Sequence, residues 1–447
     1  MSDNNATPFR FVSRLHDVSS ITKLLIVSFI VYVVSALLFT HTYDSVFWVM
    51  IMDGIETGNG LYGINGLYYT PVWGYILSFY EMLISSLPLF GSYGERFTEL
   101  LPYEAVNGYA ISTVINPLVS MFVRVPLIIC AIVVGKEIHG LVFEFTGDEK
   151  KSIIAAAFWC LCPLTIYMTA VQAQFEALMI LLVILCLSNL RKERFFLAGV
   201  LFALAVWLKT FPVLILLILI GYVIVRRSEK DGVWIKDLIM SMAGAILTTV
   251  ILFVPVAMNG ELSYAFSFLT ARQGSFDISS MVIPAVIVLL MILTFVDLIK
   301  EKCAYLDQRL YAYSFMIMAW GAIIVSGYQY LPIVIFSAIL VYYICPVRTL
   351  VPITHLVWVV GIIDVMIWEL YSALYISSEY FGLFDPAMIV RSSIEVYDFM
   401  QSLISPIGNI RSLISTAAVV LLTLGAIIHK IPRLEPYLKK GGTDEDR

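Results

Sequence analysis

The sequence predicts an all-α polytopic membrane protein of about 12 transmembrane helices (11–13), with a long first outer loop carrying interfacial or re-entrant helices. Three observations carry this reading. Of 447 residues, 60% are hydrophobic and 14% charged, against roughly 25% charged in soluble domains, and the mean hydropathy is +0.89. Apolar runs approaching the ~20 residues needed to cross the hydrocarbon core recur along the whole chain. Lys and Arg gather in alternate connecting segments, as the positive-inside rule requires.

The spans read, in order, 22–41, 112–134, 152–171, 175–190, 195–209, 211–225, 237–257, 281–299, 310–326, 330–345, 350–368 and 412–429. The first is followed by Thr40-His41-Thr42 and not by a small-residue cleavage site, so it reads as an uncleaved anchor. With the N-terminus inside, all but six of the 28 Lys and Arg fall in inner segments; the six are Arg96, Arg124, Lys209, Arg272, Arg391 and Arg411. An even number of spans puts both termini in the cytoplasm. Residues 72–89 are apolar enough to span, yet counting them would reverse everything downstream. They read as a re-entrant or interfacial segment of the outer loop 42–111. The spans at 195–209 and 211–225 are short, and Lys209-Thr210-Phe211-Pro212 marks a broken junction between them. The acidic loop 367–411 could cap the outer opening. Residues 1–225 form one expected module and 226–447 a second, variable one, with no repeat at fixed period.

Composition also excludes some functions. No basic stretch is both long and exposed, so nucleic acid is not a partner. The six cysteines lie in or next to apolar runs and lack metal-knuckle or Cys-x-x-Cys spacing, which makes them small core residues.

The residues with chemical potential are the charges inside or beside the membrane. One cation at the centre of a spanning helix costs roughly 2.5–3.5 kcal/mol on insertion scales, so such residues are functional candidates. Asp44 follows the first span at the outer surface, where a carboxylate can take a proton from a hydroxyl; alternatively it caps a short amphipathic helix over 45–57 that stops at Gly58 and Gly60. Gln172-Ala173-Gln174-Phe175-Glu176 forms either a polar cluster facing Asp44 or a solvated turn. Arg124, Lys209 and Arg272 place three cations where the topology otherwise excludes them. A phosphate or pyrophosphate fits that demand, held by Arg forks and a Lys point charge. Taken singly, Arg124 could snorkel and Arg272 could be exposed.

In this order, these pieces resemble the GT-C superfamily of membrane glycosyltransferases, and most nearly its multispanning mannosyltransferases. The resemblance rests on Asp44 after the first span, Gly58-Asn59-Gly60-Leu61-Tyr62, Tyr69-Thr70-Pro71, Pro163 ahead of the 172–176 turn, and the glycine-opened segment from Gly199 ending in Lys209-Thr210-Phe211-Pro212. Arg272 and Tyr330-Leu331-Pro332 match more loosely, and the likeness is best over residues 20–225. It implies transfer of a sugar such as mannose from a polyprenyl-phosphate donor to a lipid or glycan hydroxyl at the outer face, with inversion. Asp44 would be the general base. Lys209, Arg272 and Arg124 would hold the donor phosphate, and Glu176 and Gln174, with Glu56 and Tyr69, would orient acceptor and sugar. No cofactor is assigned: the family's frequent Asp-x-Asp pair is Thr42-Tyr43-Asp44 here, and a divalent metal finds no support. A transporter or flippase of a lipid-linked sugar, and a non-catalytic subunit with a lattice of buried charges, are the alternatives.

Overall fold

A computed structural model describes residues 19–58, 60–63, 69–87, 97–99, 113–228, 234–266, 278–300, 305–324, 327–344, 350–368, 370–385, 388–389, 395, 398–399, 402 and 410–428. Apart from two three-residue strands, β1 (Phe97–Glu99) and β2 (Thr113–Ile115), paired antiparallel, the regular elements are helical.

The N-terminal half holds α1 (Ser20–Leu38), α2 (Thr42–Glu56), α3 (Pro71–Ser85), α4 (Pro117–Thr146), α5 (Glu149–Cys160), α6 (Pro163–Ile166) running into a π turn over Tyr167–Val171, α7 (Glu176–Arg191) and α8 (Phe195–Leu208). After a 3₁₀ segment, Phe211–Ile215, come α9 (Leu216–Ser228), α10 (Trp234–Met258), α11 (Leu262–Ala265), α12 (Ile278–Lys300), α13 (Leu306–Ile324), α14 (Leu331–Ile344), α15 (Leu350–Trp368), α16 (Leu370–Glu379) and α17 (Ile410–Ile428).

Local chemistry explains the boundaries near the site. Asn116 caps α4 by accepting from Leu118 N (2.9 Å), Pro117 opens it, and Gly147 ends it in the left-handed region at φ 68°. Asp148 then caps α5 through Lys151 N at 3.0 Å. Pro163 cannot continue α5, and the chain bends by 50° there.

Part of the expected set of about twelve spans is recovered by length and composition. Among the described residues, α1, α4, α10 and residues 282–300 of α12 are long and apolar enough to cross a membrane. The bent pair Glu149–Cys160 with Pro163–Val171 makes a fifth. Phe195–Leu208, Tyr328–Tyr343, Leu350–Met366 and Ser412–Ile427 are apolar but shorter. Pro163 and the π turn divide the run 152–171, which reads in sequence as continuous, and the break expected at Lys209-Thr210-Phe211-Pro212 is present, followed by a 3₁₀ segment. Helix α4 departs the other way, extending to Thr146 where the apolar run suggested 134. Helix α3 has 15 residues, or ~22 Å, short of the hydrocarbon thickness. It packs on α2 and α8, and Tyr75 donates to the Leu252 carbonyl of α10 at 2.7 Å. The segment expected as an acidic loop includes α16, which touches α1, α2 and β2.

Helices α13 and α14 are the centre of the core, with Tyr313, Phe315, Phe336 and Leu340 at 0–1% exposure. Helices α10 and α12 instead show apolar side chains outward, among them Ile239, Ile246, Ile251, Val288 and Leu293. A row of exposed aliphatic residues on long apolar helices suits contact with lipid. At the end of α7 away from Glu176, Arg191 pairs with Glu144 and Asp307, and Arg227 with Glu193 and Asp237. That lattice ties the far helix ends together.

The closest crossing joins α8 to α10. A methyl group at Gly199 would collide with the Ser241 carbonyl, and one at Gly244 with the Phe196 carbonyl. Small residues of this kind let helix backbones meet in a membrane. Gly199→Ala is expected to destabilise the protein by about 2–3 kcal/mol, since backbone cannot yield as a side chain can. Gly140→Ala, which meets nothing within 4 Å, should be neutral or stabilising by up to about 1 kcal/mol. Thermal unfolding of both variants in detergent measures the contrast.

Candidate active site

Between α1 and α2 the chain runs extended for three residues and is fastened on both sides. Thr40 N donates to the Ala373 carbonyl of α16 (3.1 Å), and His41 N donates to the Val171 carbonyl of the π turn (3.0 Å). His41 occupies the cap position of α2, and its Nδ1 accepts from Asp44 N at 3.3 Å. Asp44 is therefore not the cap: it lies in the first helical turn, and its carboxylate points across to another segment. Oδ2 receives Gln174 Nε2 at 2.9 Å and stands 3.3 Å from His41 Nδ1. The Asp44 side chain is 18% exposed where His41 is 2%, so the carboxylate sits at the edge of a buried cluster. Burial alone would raise its pKa. The bond and charge of a protonated His41, with donors from Gln172 and Gln174, outweigh burial and hold it below the ordinary carboxylate value.

The facing segment is built by an irregular turn. After the π-helical residues 167–171, Ala173 takes φ 59°, a conformation that non-glycine residues seldom adopt. This left-handed residue reverses the chain so that Gln172, Gln174 and Glu176 all remain buried, at 1–2% exposure. A solvated turn is thereby ruled out. Glu176 opens α7, where the helix dipole favours a carboxylate, and pairs with Lys209. Helix α8 stops at Leu208, leaving Lys209 extended ahead of Pro212. The ammonium lies 4.7 Å from the Phe175 ring centre and 4.5 Å from that of Tyr330, a cation between two aromatic faces. The Asp44 and Glu176 charges are near enough to act on one another, so the two acidic groups and Lys209 belong to one site.

An aromatic wall closes it. Phe175 stacks on Trp73 at 5.2 Å and meets Tyr69 edge-on at 5.1 Å, with Trp48 5.6 Å from Tyr69. Tyr62 donates to the Tyr69 carbonyl at 3.0 Å, and Thr70 to the Trp207 carbonyl. The Tyr69-Thr70-Pro71 element is thus locked onto α8.

Three acceptors in this cluster have no hydrogen-bond partner among the described residues: Gln172 Oε1, Gln174 Oε1 and Glu176 Oε2. Buried polar atoms are rarely left so. With Asp44 beside them they form a buried polar cluster that keeps unused acceptor atoms, the kind of group that hydroxyls complement. Among the described residues, no group of three His, Cys, Asp or Glu is placed to hold a metal ion.

The other expected residues are placed differently. Arg124 is fully buried and donates through Nε to the Ser120 carbonyl (2.8 Å), through Nη1 to the carbonyls of Phe39 (2.8 Å) and Ala170 (2.6 Å), and through Nη2 to Thr40 Oγ1 (2.5 Å) and Ser120 Oγ. All five N–H groups are committed, so the guanidinium faces neither solvent nor that cluster. Glu56 ends α2, 12 residues beyond Asp44 and ~18 Å along the axis, and is exposed. Arg272 lies outside the described residues. Sequence reasoning missed His41, although a polar residue three before Asp44 is a cap signal. It also missed Glu261, whose Oε1 accepts from Tyr62 N at 3.4 Å. A contact 199 residues apart in sequence leaves no local trace.

Comparison with known proteins bears on what such a cluster binds. The model of glycosyltransferase family 87 matches residues 118–342, half of the chain. The matched stretch includes the 172–176 turn, Lys209 and Tyr330. Comparison with curated proteins finds no match.

The Glu176–Lys209 pair makes a separable prediction. Lys209→Met leaves a buried carboxylate uncompensated and should lower stability by about 3–5 kcal/mol. Glu176→Gln together with Lys209→Met should restore most of that loss, because neither charge is then stranded. Denaturant unfolding of the single and double variants in detergent provides the check.

Proposed function

The chain belongs to glycosyltransferase family 87, one of the GT-C-type membrane glycosyltransferases, and from that premise we propose that it moves a sugar, with mannose as the first candidate, from a polyprenyl-phosphate donor to a lipid or glycan hydroxyl. The observation that supports this most directly is the Asp44 carboxylate at the edge of a buried cluster with unpartnered acceptors. The acceptor hydroxyl attacks the anomeric carbon from the face opposite the phosphate. Its proton passes to Asp44, the new C–O bond forms, and the bond from the anomeric carbon to the phosphate oxygen breaks with its electrons leaving on the phosphate. Configuration inverts, and polyprenyl monophosphate is released.

Gln172, Gln174 and Glu176 would take sugar hydroxyls as acceptors, and Tyr69 with its aromatic neighbours would face the apolar side of the ring. Lys209 and Arg272 would share the donor phosphate and stabilise the charge developing on it. Lys209 brings half of a neutralised pair, so Arg272 would supply the uncompensated cation. Arg124 keeps a positioning role in this reading, and exposed Glu56 suits the acceptor side.

The charge distribution supports about twelve crossings, both termini in the cytoplasm and a site at the outer face, with Asp44 at one end of the bundle and the Arg191–Arg227 lattice at the other. In this reading residues 1–225 carry the catalytic groups. Residues 226–447 would form a second module packed against them through α8 and α10. A flippase of a lipid-linked sugar is less well supported, because it needs a polar path and the polar cluster adjoins the packed rings of Phe175, Trp73 and Trp48.

Asp44→Asn should leave folding and donor binding near normal while lowering transfer by ~10²–10⁴-fold. Sugar transfer by purified protein in nanodiscs, from radiolabelled polyprenyl-phosphate mannose to a host lipid extract, reads the effect. Full activity in the variant would remove Asp44 from the mechanism.

A further inference from the structure

We infer that His41 is a positioning residue whose ring nitrogen switches Asp44 between an available base and an occupied one. This rests on the proposed role of Asp44 and adds a control to it. His41 Nδ1 lies 3.3 Å from Asp44 N and 3.3 Å from Asp44 Oδ2. One nitrogen cannot serve both: it accepts from the backbone N–H only when unprotonated, and donates to the carboxylate only when protonated.

In the neutral ring, protonated at Nε2, Nδ1 caps α2. The Asp44 carboxylate then holds its glutamine donors and keeps lone pairs for the acceptor hydroxyl. In the imidazolium, Nδ1–H fills Oδ2 and the Asp44 N–H loses its acceptor. The carboxylate, now paired with a cation, binds a further proton less well. Transfer therefore needs neutral His41, and activity rises with pH through the titration of the ring.

The backbone of His41 cannot move to relieve this competition, since Thr40 and His41 are bonded to α16 and the π turn. Among the described residues, the nearby charged and titratable groups come from several elements. Arg124 from α4 stands behind Phe39 and Thr40, the Glu176–Lys209 pair lies beyond the glutamine turn, and the Tyr328 hydroxyl accepts from Gln172 at 3.4 Å. Helix α16 presents the Ala373 carbonyl to Thr40 and the Ser377 hydroxyl to the Leu38 carbonyl. Among the contacts described, the Asp44 carboxylate is the charge beside His41 Nδ1.

His41→Asn separates capping from titration, because its amide oxygen can still accept the Asp44 N–H but cannot ionise. Transfer from radiolabelled polyprenyl-phosphate mannose to a host lipid extract is measured in nanodiscs between pH 5 and 8, with His41→Ser as a second non-titrating cap and Asp44→Asn alongside. Wild type should lose about tenfold per pH unit on its acid side, as one protonation requires. In both variants the acid limb should be displaced by at least about one pH unit, whatever their level at pH 8. An unchanged acid limb in either folded variant, with Asp44→Asn inactive, would overturn the role of His41 while sparing that of Asp44. An active Asp44→Asn would sink both.

Discussion

The site depends on a guanidinium that never touches it. Arg124 is enclosed in apolar helix, where an unpaired charge is expensive, and no carboxylate neutralises it among the contacts described. What stabilises it is a set of carbonyls at chain ends. Phe39 follows the last turn of α1, and Ala170 lies in the last residues of the π turn. Helix C-termini carry partial negative charge and leave carbonyls without intrahelical partners, so one cation meets both needs. The two segments it joins lead directly to Asp44 and to Gln172. Through Arg124 and the His41–Val171 backbone bond, two stretches more than 120 residues apart in sequence are held in one register.

From that register the chemistry follows. The π turn and the left-handed Ala173 store local strain, a cost of order 1 kcal/mol for such a residue, and the return is a reversal that keeps three polar side chains inside. The Glu176–Lys209 pair sits deep enough to be structural and close enough to Asp44 to influence it. The cavity of about 400 Å³ at the other end, lined among others by Glu144, Arg191, Arg226 and Asp307, has a different character: its charges pair largely with one another, so it reads as part of the lattice that fixes the helix ends.

Much of this was legible in the sequence, and the rest was hidden for identifiable reasons. Charged and amide residues inside apolar runs stand out against their surroundings, which is why Asp44, Gln174, Glu176 and Lys209 could be singled out before they were seen together. Arg124 was equally visible, but its use was not. Whether a buried guanidinium meets phosphate or carbonyls depends on which helix ends point at it, and helix ends are tertiary facts. Span lengths were less legible for a related reason: hydropathy registers apolar continuity, whereas Pro163 and the π turn break the backbone without breaking the pattern, and only Pro212 announced its break. His41 was overlooked because its neighbour carried the obvious charge.

The central claim is that the acceptor-rich cluster beside Asp44 takes the hydroxyls of the transferred sugar. The most direct test is an electron cryo-microscopy map of Asp44→Asn with a polyprenyl-phosphate sugar bound. The account predicts sugar hydroxyls within hydrogen-bonding distance of the side-chain oxygens of Gln172, Gln174 and Glu176, the anomeric carbon facing position 44, and the phosphate near Lys209. Density for the sugar at the opposite end of α7, among Arg191, Lys192 and Arg226, would contradict it.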